Sequence, residues 1–456
     1  MSLFRVKTTE CRLGVVGLFN AGKTVFLTSL INHLEHHDPD RFRLGKGRVN
    51  VRRFEILPPD REWSPFNYVG FRDALVYNGK WPEKTRDCSQ FVCKFERSDW
   101  SISDSLLKVY DLPGERIADA GMLGRTYAEW SDHMLRLVEN DTPYRTCCQP
   151  FLEAINGPPP SEGNLLKAYK LSLANLILAY KPLVSPSTFL LDTNGTAARP
   201  DTAENLADAR VAGLGPGSEF TPLPPKLRSA DPKLAAAFAA RFESYRDQVV
   251  LPFLVALKSC HSLVVMVDVT TLLAAGVGMY DDNRQILHDL FQVLDPGERI
   301  GQMIGRHLAK VFLPRALRPG WINRVAFVAP KLDLVHPTDR DRMLGLLKRM
   351  VGRLAENRDG LKHEYFNVAA VVSTKVIPGP ETTHAMAGVP YRDATGRKIS
   401  PGVEQRFTVG NLPDDWPLNW TAGQYIFPEV YPTVPARKDC PPEQINLDRV
   451  LDFVLG

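Results

Sequence analysis

Two periods alternate along this chain. Short β-branched runs of the kind buried strands carry are followed by stretches whose apolar residues recur every three or four positions, as on helices. The first pairing is Leu13-Gly14-Val15-Val16, stopped by Gly17, and then Val25, Phe26, Leu27, Leu30, Ile31 and Leu34 at helical spacing. Further strands are expected at 91–95 and 106–110, joined by a Ser- and Asp-containing turn, and at 263–268, 324–328 and 368–372. About 150 residues separate Tyr110 from Leu263, far beyond ordinary loop length, so an inserted domain is required. The insertion reads as helical at 122–138, 163–180 and 232–257, with an Ala-rich core at 234–240. Pro158-Pro159-Pro160 and the Pro/Gly/Ser/Thr-rich run 182–232 read as loops. Helices are expected again at 281–294 and 304–313. The segment 377–440, rich in Pro, Gly, Trp and Tyr, reads as an irregular or antiparallel β extension, and 445–455 as a closing helix with Asn446 near its start. No internal repeat is present.

Between the first strand and helix lies Gly17-Leu18-Phe19-Asn20-Ala21-Gly22-Lys23-Thr24, a complete phosphate-binding loop in the strand–loop–helix context that such a loop needs. Gly17 and Gly22 permit the tight turn. The backbone N–H groups from Asn20 and Ala21 through Thr24, with Val25 behind them, open a helix whose positive end favours phosphate oxygens. Lys23 can reach the β and γ phosphates, as a catalytic and a binding group, and the Thr24 hydroxyl can ligate Mg²⁺. The run ending at Tyr110 leads into Asp111-Leu112-Pro113-Gly114-Glu115, where Asp111 can serve the metal and the Gly114 amide can face a γ-phosphate. A threonine that senses both should precede the 91–95 strand. Thr85 stands there, as a metal and catalytic candidate, with Ser89 as the fallback and a plain turn residue as the bland reading. Glu115 is either the group that positions an attacking water or a salt-bridge partner turned away. Arg86 and Arg116 are either charge-stabilising or simply exposed.

The base should be read after the later strands. Pro330-Lys331-Leu332-Asp333 is similar to an Asn/Thr-Lys-x-Asp element, in which the lysine stem covers a purine and the carboxylate accepts two N–H groups. Guanine offers those two donors, whereas adenine presents an acceptor. Pro330 stands where Asn or Thr is usual, which relaxes the expected selectivity. Ser373-Thr374-Lys375 resembles a Ser-Ala-Lys element that meets the guanine carbonyl. The fold class expected is therefore α/β: a P-loop NTPase, G-domain-like three-layer core with a large mainly helical insertion and an irregular or β C-terminal extension. The domains run 1–118, 119–258, 259–380 and 381–456.

Composition narrows this only modestly. With 456 residues, 44% apolar and 24% charged, the chain can bury a large core. A net charge of +4, from 56 basic and 52 acidic residues without long like-charged blocks, predicts no nucleic-acid partner. Basic residues in 315–324 and 348–353 read as solvated helix faces. Seven cysteines show no zinc spacing and read as free thiols, the Cys147-Cys148 pair included. Met1 to Arg12 lacks the apolar core of a secretory signal, and no run is long enough to span a membrane, so a cytoplasmic protein is expected.

The order of these motifs, together with Gly22-Lys23-Thr24-Val25-Phe26-Leu27-Thr28-Ser29-Leu30 and Asp111-Leu112-Pro113-Gly114-Glu115-Arg116, resembles the YcjX-like family of bacterial P-loop GTPases over nearly the whole chain. The resemblance implies a stress-linked GTP-binding protein, hydrolysing GTP to GDP with Mg²⁺. It also implies a cytoplasmic place, with a protein partner, a membrane protein included, and a peripheral position at the inner membrane as open options. A nucleotide-gated interaction module with negligible turnover and an ATPase remain the alternatives, and the oligomeric state stays open.

Overall fold

The apolar run around Val15 and Val16 lies in a longer strand than its pattern suggests, because β1 (Lys7–Gly17) pairs along its polar first half with β5 (Ser103–Asp111), from Lys7 opposite Ser103 to Val15 opposite Asp111. The computed structural model describes residues 7–17, 21–45, 49–83, 88–99, 103–112, 114–140, 142–180, 202–208, 215, 217–294, 322–355, 360–378, 384–392, 397, 399–435, 437 and 440–456. By chain contacts it divides into two compact units, 1–113 with 259–277 and 319–456, and 114–258 with 278–318.

The first unit is built on an eight-stranded sheet. Besides β1 and β5 it contains β2 (Val51–Leu57), β3 (Ser64–Pro65), β4 (Ser89–Arg97), β6 (Ser262–Met266), β7 (Arg324–Ala329) and β8 (Lys362–Asn367), in the order β2-β4-β5-β1-β6-β7-β8 with β3 beside β4. The pairs β5-β1-β6-β7-β8 are parallel, while β2-β4 and β4-β5 are antiparallel. Strand order reverses at β1, whose neighbours on either side come later in the chain, and the crevice outside the carboxyl ends of such strands is where α/β sheets take ligands. Val15 opposite Asp111, Gly17 opposite Met266, Met266 opposite Val328 and Ala329 opposite Asn367 align those ends.

Both faces of β6 and β7 are buried, which makes three layers. Val264, Met266, Ala326 and Val328 join one apolar cluster with Phe26, Leu30 and Ile31 of the helix Lys23–Glu35 and with Leu447, Val450, Leu451 and Val454 of the closing helix Leu447–Leu455. Alternate residues Leu263, Val265, Val325 and Phe327 are equally buried on the opposite face. The strand expected at 368–372 is displaced. The strand is Lys362–Asn367, an edge strand with alternating exposure, so its sequence carries little apolar signal. The run after it is buried for another reason: Ala369 exchanges two backbone hydrogen bonds with Ile445, and the Val372 N–H donates to the Glu443 carbonyl.

Beyond it, β9 (Lys375–Val376), β10 (Ala385–Gly388) and β11 (Gln405–Thr408) form a small antiparallel sheet. The irregular stretch that follows is anchored by its indoles, Trp416 donating to the Leu346 carbonyl and Trp420 to that of Leu273.

The second unit is helical. It opens with a 3-10 helix, Gly114–Gly124, so the helix expected at 122–138 starts only at Tyr127. Glu162–Tyr180 forms as expected. Pro232–Tyr245 runs through a π-helical turn, Arg246–Val250, into Leu251–Lys258. Its core is aromatic: Trp130 lies 5.3 Å from both Phe220 and Phe242 by ring centroids. The run 182–232 holds the short helices Ala203–Ala207 and Pro225–Ala230 among its described residues, and Val277–Leu294 covers the helix expected at 281–294. The helix expected at 304–313 lies outside the described residues. Among the described residues no helix is long and apolar enough to cross a membrane.

Candidate functional site

Gly22 caps the helix Lys23–Glu35 in the left-handed conformation (φ 78°, ψ 24°), where a side chain would be strained. Among the described residues no side chain caps this end, and no acidic residue lies in its first turn, so the positive pole of the helix is not offset by a carboxylate of its own. Gly17 has a different reason for being glycine. A Cβ there would stand 2.8 Å from the Cβ of Met266, so β1 and β6 approach too closely for any larger residue. Ala21 is buried, and Lys23, Thr24 and Val25 are partly exposed. Asn20 lies outside the described residues, as does Thr85, and the side chain of Glu115 is not among those described.

Asp111 ends β5 directly beside Val15 of β1, two residues before Gly17, and is buried. Sheet register therefore brings the acidic motif to the strand that feeds the phosphate loop. Gly114, three residues on, is buried and begins the 3-10 helix of the second unit. Among the described residues no group of three or more His, Cys, Asp or Glu side chains is placed to hold a metal ion. A Mg²⁺ ion, which keeps several waters and substrate phosphates as ligands, needs fewer protein donors than that. Thr24 and Asp111 are hard oxygen donors that fit it.

The later motifs meet at the ends of β7 and β8. Ser373 donates through both its backbone N–H (3.0 Å) and its hydroxyl to Oδ2 of Asp333, and the Thr374 hydroxyl donates to the Asp333 carbonyl. Asp333, Ser373 and Thr374 are all buried. Burial pushes the Asp333 carboxyl above the usual carboxylate range, and the bonds from Ser373 offset only part of that. Lys375 is not brought to this cluster: it opens β9 with an exposed side chain 3.4 Å from Glu404.

Lys331 is one of two non-glycine residues with positive φ among those described (φ 63°, ψ 34°), a conformation that costs about 1–2 kcal/mol. Its ammonium donates to Asp268 Oδ2 at 2.5 Å and lies 3.4 Å from the Thr271 hydroxyl. Asp268, which sequence reasoning placed only at a strand end, is the residue it missed. Burial alone would raise its carboxyl. Lys331 and the Thr271 and Thr270 hydroxyls together hold it below the usual range instead. The signal available was Asp268 followed by Val269-Thr270-Thr271 ahead of an apolar run, a helix N-cap pattern, and the Thr271 N–H does donate to Asp268 at 3.0 Å.

The model describing the YcjX-like family matches residues 11–456. The chain is similar to the protein named Ras-like GTPase YcjX of Escherichia coli strain K12, at 24% identity over 98% of this chain and 95% of that protein. It is similar also to the Ras-like GTPase YcjX of Shewanella oneidensis, at 25% identity over 82% of this chain and 79% of that one. A match running through the strand–loop–helix start, the parallel sheet and the closing helix alike means that the chain belongs to the YcjX-like family.

Proposed function

We propose that the chain is a GTPase that binds guanine nucleotides at the carboxyl edge of its sheet and switches state with the γ-phosphate. The observation that supports this best is the tie between Asp333 and Ser373, which fixes a buried carboxylate at the strand ends where a base would lie, on the same edge as the phosphate loop. The carboxylate can accept from the two adjacent N–H groups of guanine, while adenine offers it an acceptor. The names of the two relatives support the same nucleotide class.

Within this reading the loop amides and Lys23 bind the β and γ phosphates and stabilise charge that grows on them. Thr24 and Asp111, with Thr85, would hold Mg²⁺, which when bound neutralises phosphate charge. Gly114 offers its amide to the γ-phosphate, and Glu115 positions the attacking water. Lys331 covers the base, Asp333 reads its edge, and Ser373 and Thr374 supply the loop beneath it, without Lys375. The segment from Gly114 onward belongs to the helical unit. That favours a second component of the same reading, in which the helical unit reports nucleotide state to a partner and hydrolysis resets it. A cytoplasmic place, a role in stress and a membrane-protein partner come from the family resemblance.

The test is titration of the purified chain with GDP, GTP, ADP and ATP, followed by phosphate release from GTP with and without Mg²⁺. Guanine preference with slow release is expected. Preference for adenine would remove Asp333 from base reading. Guanine binding without release, unchanged by Glu115→Ala, would leave a gated interaction module.

A further inference from the structure

The loop that would read the base is tied through the Leu332 N–H to the Val368 carbonyl and through Asp333 to Ser373, but position 330 adds no side-chain tie ahead of Lys331. Pro330 has no polar side chain and no N–H, so it cannot anchor the loop to a neighbouring strand end as an Asn or Thr could. Lys331 is nonetheless held in one strained conformation, and its anchor comes from elsewhere. Asp268 follows β6, the strand lying between β1, which feeds the phosphate loop, and β7, which feeds Lys331.

We infer that Asp268 is a positioning residue for purine recognition: by holding the Lys331 ammonium it lays the lysine stem out as a fixed apolar strip for the face of a guanine ring, replacing the tie that Pro330 lacks. This rests on the guanine-nucleotide reading above. The acid end of the pair is closed, with the Asp268 side chain 3% exposed, while the Lys331 side chain remains 32% exposed. An isolated buried carboxylate would be costly. Here the Thr270 and Thr271 hydroxyls and the Thr271 N–H all donate to it, which fixes its charge and its direction. A lysine pinned at its far end has already lost the rotamer freedom that stacking on a ring would otherwise remove, so less is lost on binding. Two residues on, Asp333 is pinned in turn by Ser373. The two base-reading side chains thus have separate anchors, Asp268 for the ring face and Ser373 for the ring edge.

Asp268 also caps the helix Val269–Ala275, so a purely structural role must be separated from this one. Asp268→Asn keeps an oxygen for the cap and removes the charge. Thr271→Val removes only the hydroxyl beside both partners. Calorimetric titration of the full chain with GDP, ADP and inorganic tripolyphosphate reads the difference. Asp268→Asn should weaken GDP about tenfold and Thr271→Val about threefold, the scale of one charged and one neutral hydrogen bond, with tripolyphosphate unchanged. The double variant Asp268→Asn with Lys331→Met should bind GDP no more weakly than Lys331→Met alone. Folded Asp268→Asn that binds GDP like the parent, or that loses GDP and tripolyphosphate equally, overturns the inference. If Asp268→Asn fails to fold by circular dichroism, the cycle between Thr271→Val and Lys331→Met decides, and additive losses overturn it. A parent chain that binds GDP no better than ADP fails earlier and differently, because then the guanine reading itself falls.

Discussion

The sheet's carboxyl edge and the helical unit both bury aspartates, but they close them in different ways. In the helical unit Tyr245 donates to Asp119 at 2.7 Å and Tyr144 to Asp282 at 2.5 Å, each pair sealed inside the core, and Arg125 pairs with Asp289 at 2.9 Å beside Gly121, where a Cβ would collide with both side chains. Burial first, then Asp119, drives the Tyr245 hydroxyl well above its ordinary range, so it remains a donor at every physiological pH. At the sheet edge Asp268 and Asp333 are just as buried, but the partner of Asp268, Lys331, keeps 32% of its side chain exposed, and both Ser373 bonds fall on Oδ2 of Asp333. A closed pair specifies packing, because breaking it strands a buried charge. An anchored but open pair is preorganised for a ligand instead.

That contrast can be broken by substitutions on each side, read for stability and for nucleotide binding separately. The largest effect belongs to the aromatic core of the helical unit. Phe242→Ala should cost about 3–5 kcal/mol in urea unfolding, with GDP affinity retained by whatever chain stays folded. Lys23→Ala should do the reverse, weakening GTP about a hundredfold while the urea midpoint hardly moves, since Lys23 is a partly exposed residue at a helix start. Tyr245→Phe, which removes the hydroxyl that donates to the buried Asp119, should cost about 1–3 kcal/mol and leave the GDP to ADP ratio unchanged. If Tyr245→Phe shifts that ratio while the chain remains folded, the helical unit is coupled to the site through Asp119, and the contrast as drawn is wrong.

The two regions were also unequally legible. The sheet edge could be placed because each piece is local: a β-branched run stopped by Gly17, a glycine at the left-handed position before the first helix, and Lys331, Asp333 and Ser373 each just after a strand. Asp268 could not, because its partner lies 63 residues away in sequence and only the adjacency of β6 and β7 brings them together. β8 escaped because an edge strand with a wet face has no continuous apolar run. In the helical unit periodicity gave Glu162–Tyr180 almost to the residue, yet the 3-10 segment, the π turn and the Tyr–Asp pairs left no pattern. Those features depend on packing between helices distant in sequence, and propensity carries no information about it.

The smallest expected effect is also the one that separates the two anchored carboxylates of the edge. Asp333 has its folded value above the ordinary one, so the ligand-free folded chain holds that proton more tightly than the unfolded chain does; its contribution to stability favours acid and is lost as pH rises through the folded value. Guanine pulls the other way, because two N–H donors need the ionised carboxylate. GDP affinity should therefore fall as pH drops through the raised Asp333 value and the carboxyl takes up its proton, by less than about tenfold per pH unit, and GDP binding in that window should release a proton. Asp268 is displaced in the opposite direction, so its contribution to stability is present above the ordinary carboxylate range and disappears only as pH falls through its own lower value. Calorimetry of GDP binding in buffers of different ionisation enthalpy counts the released proton, and Asp333→Asn should abolish it together with the pH dependence. A GDP affinity that holds level until stability itself collapses would mean that Asp333 does not meet the base, and that the open half of the comparison is as closed as the helical one.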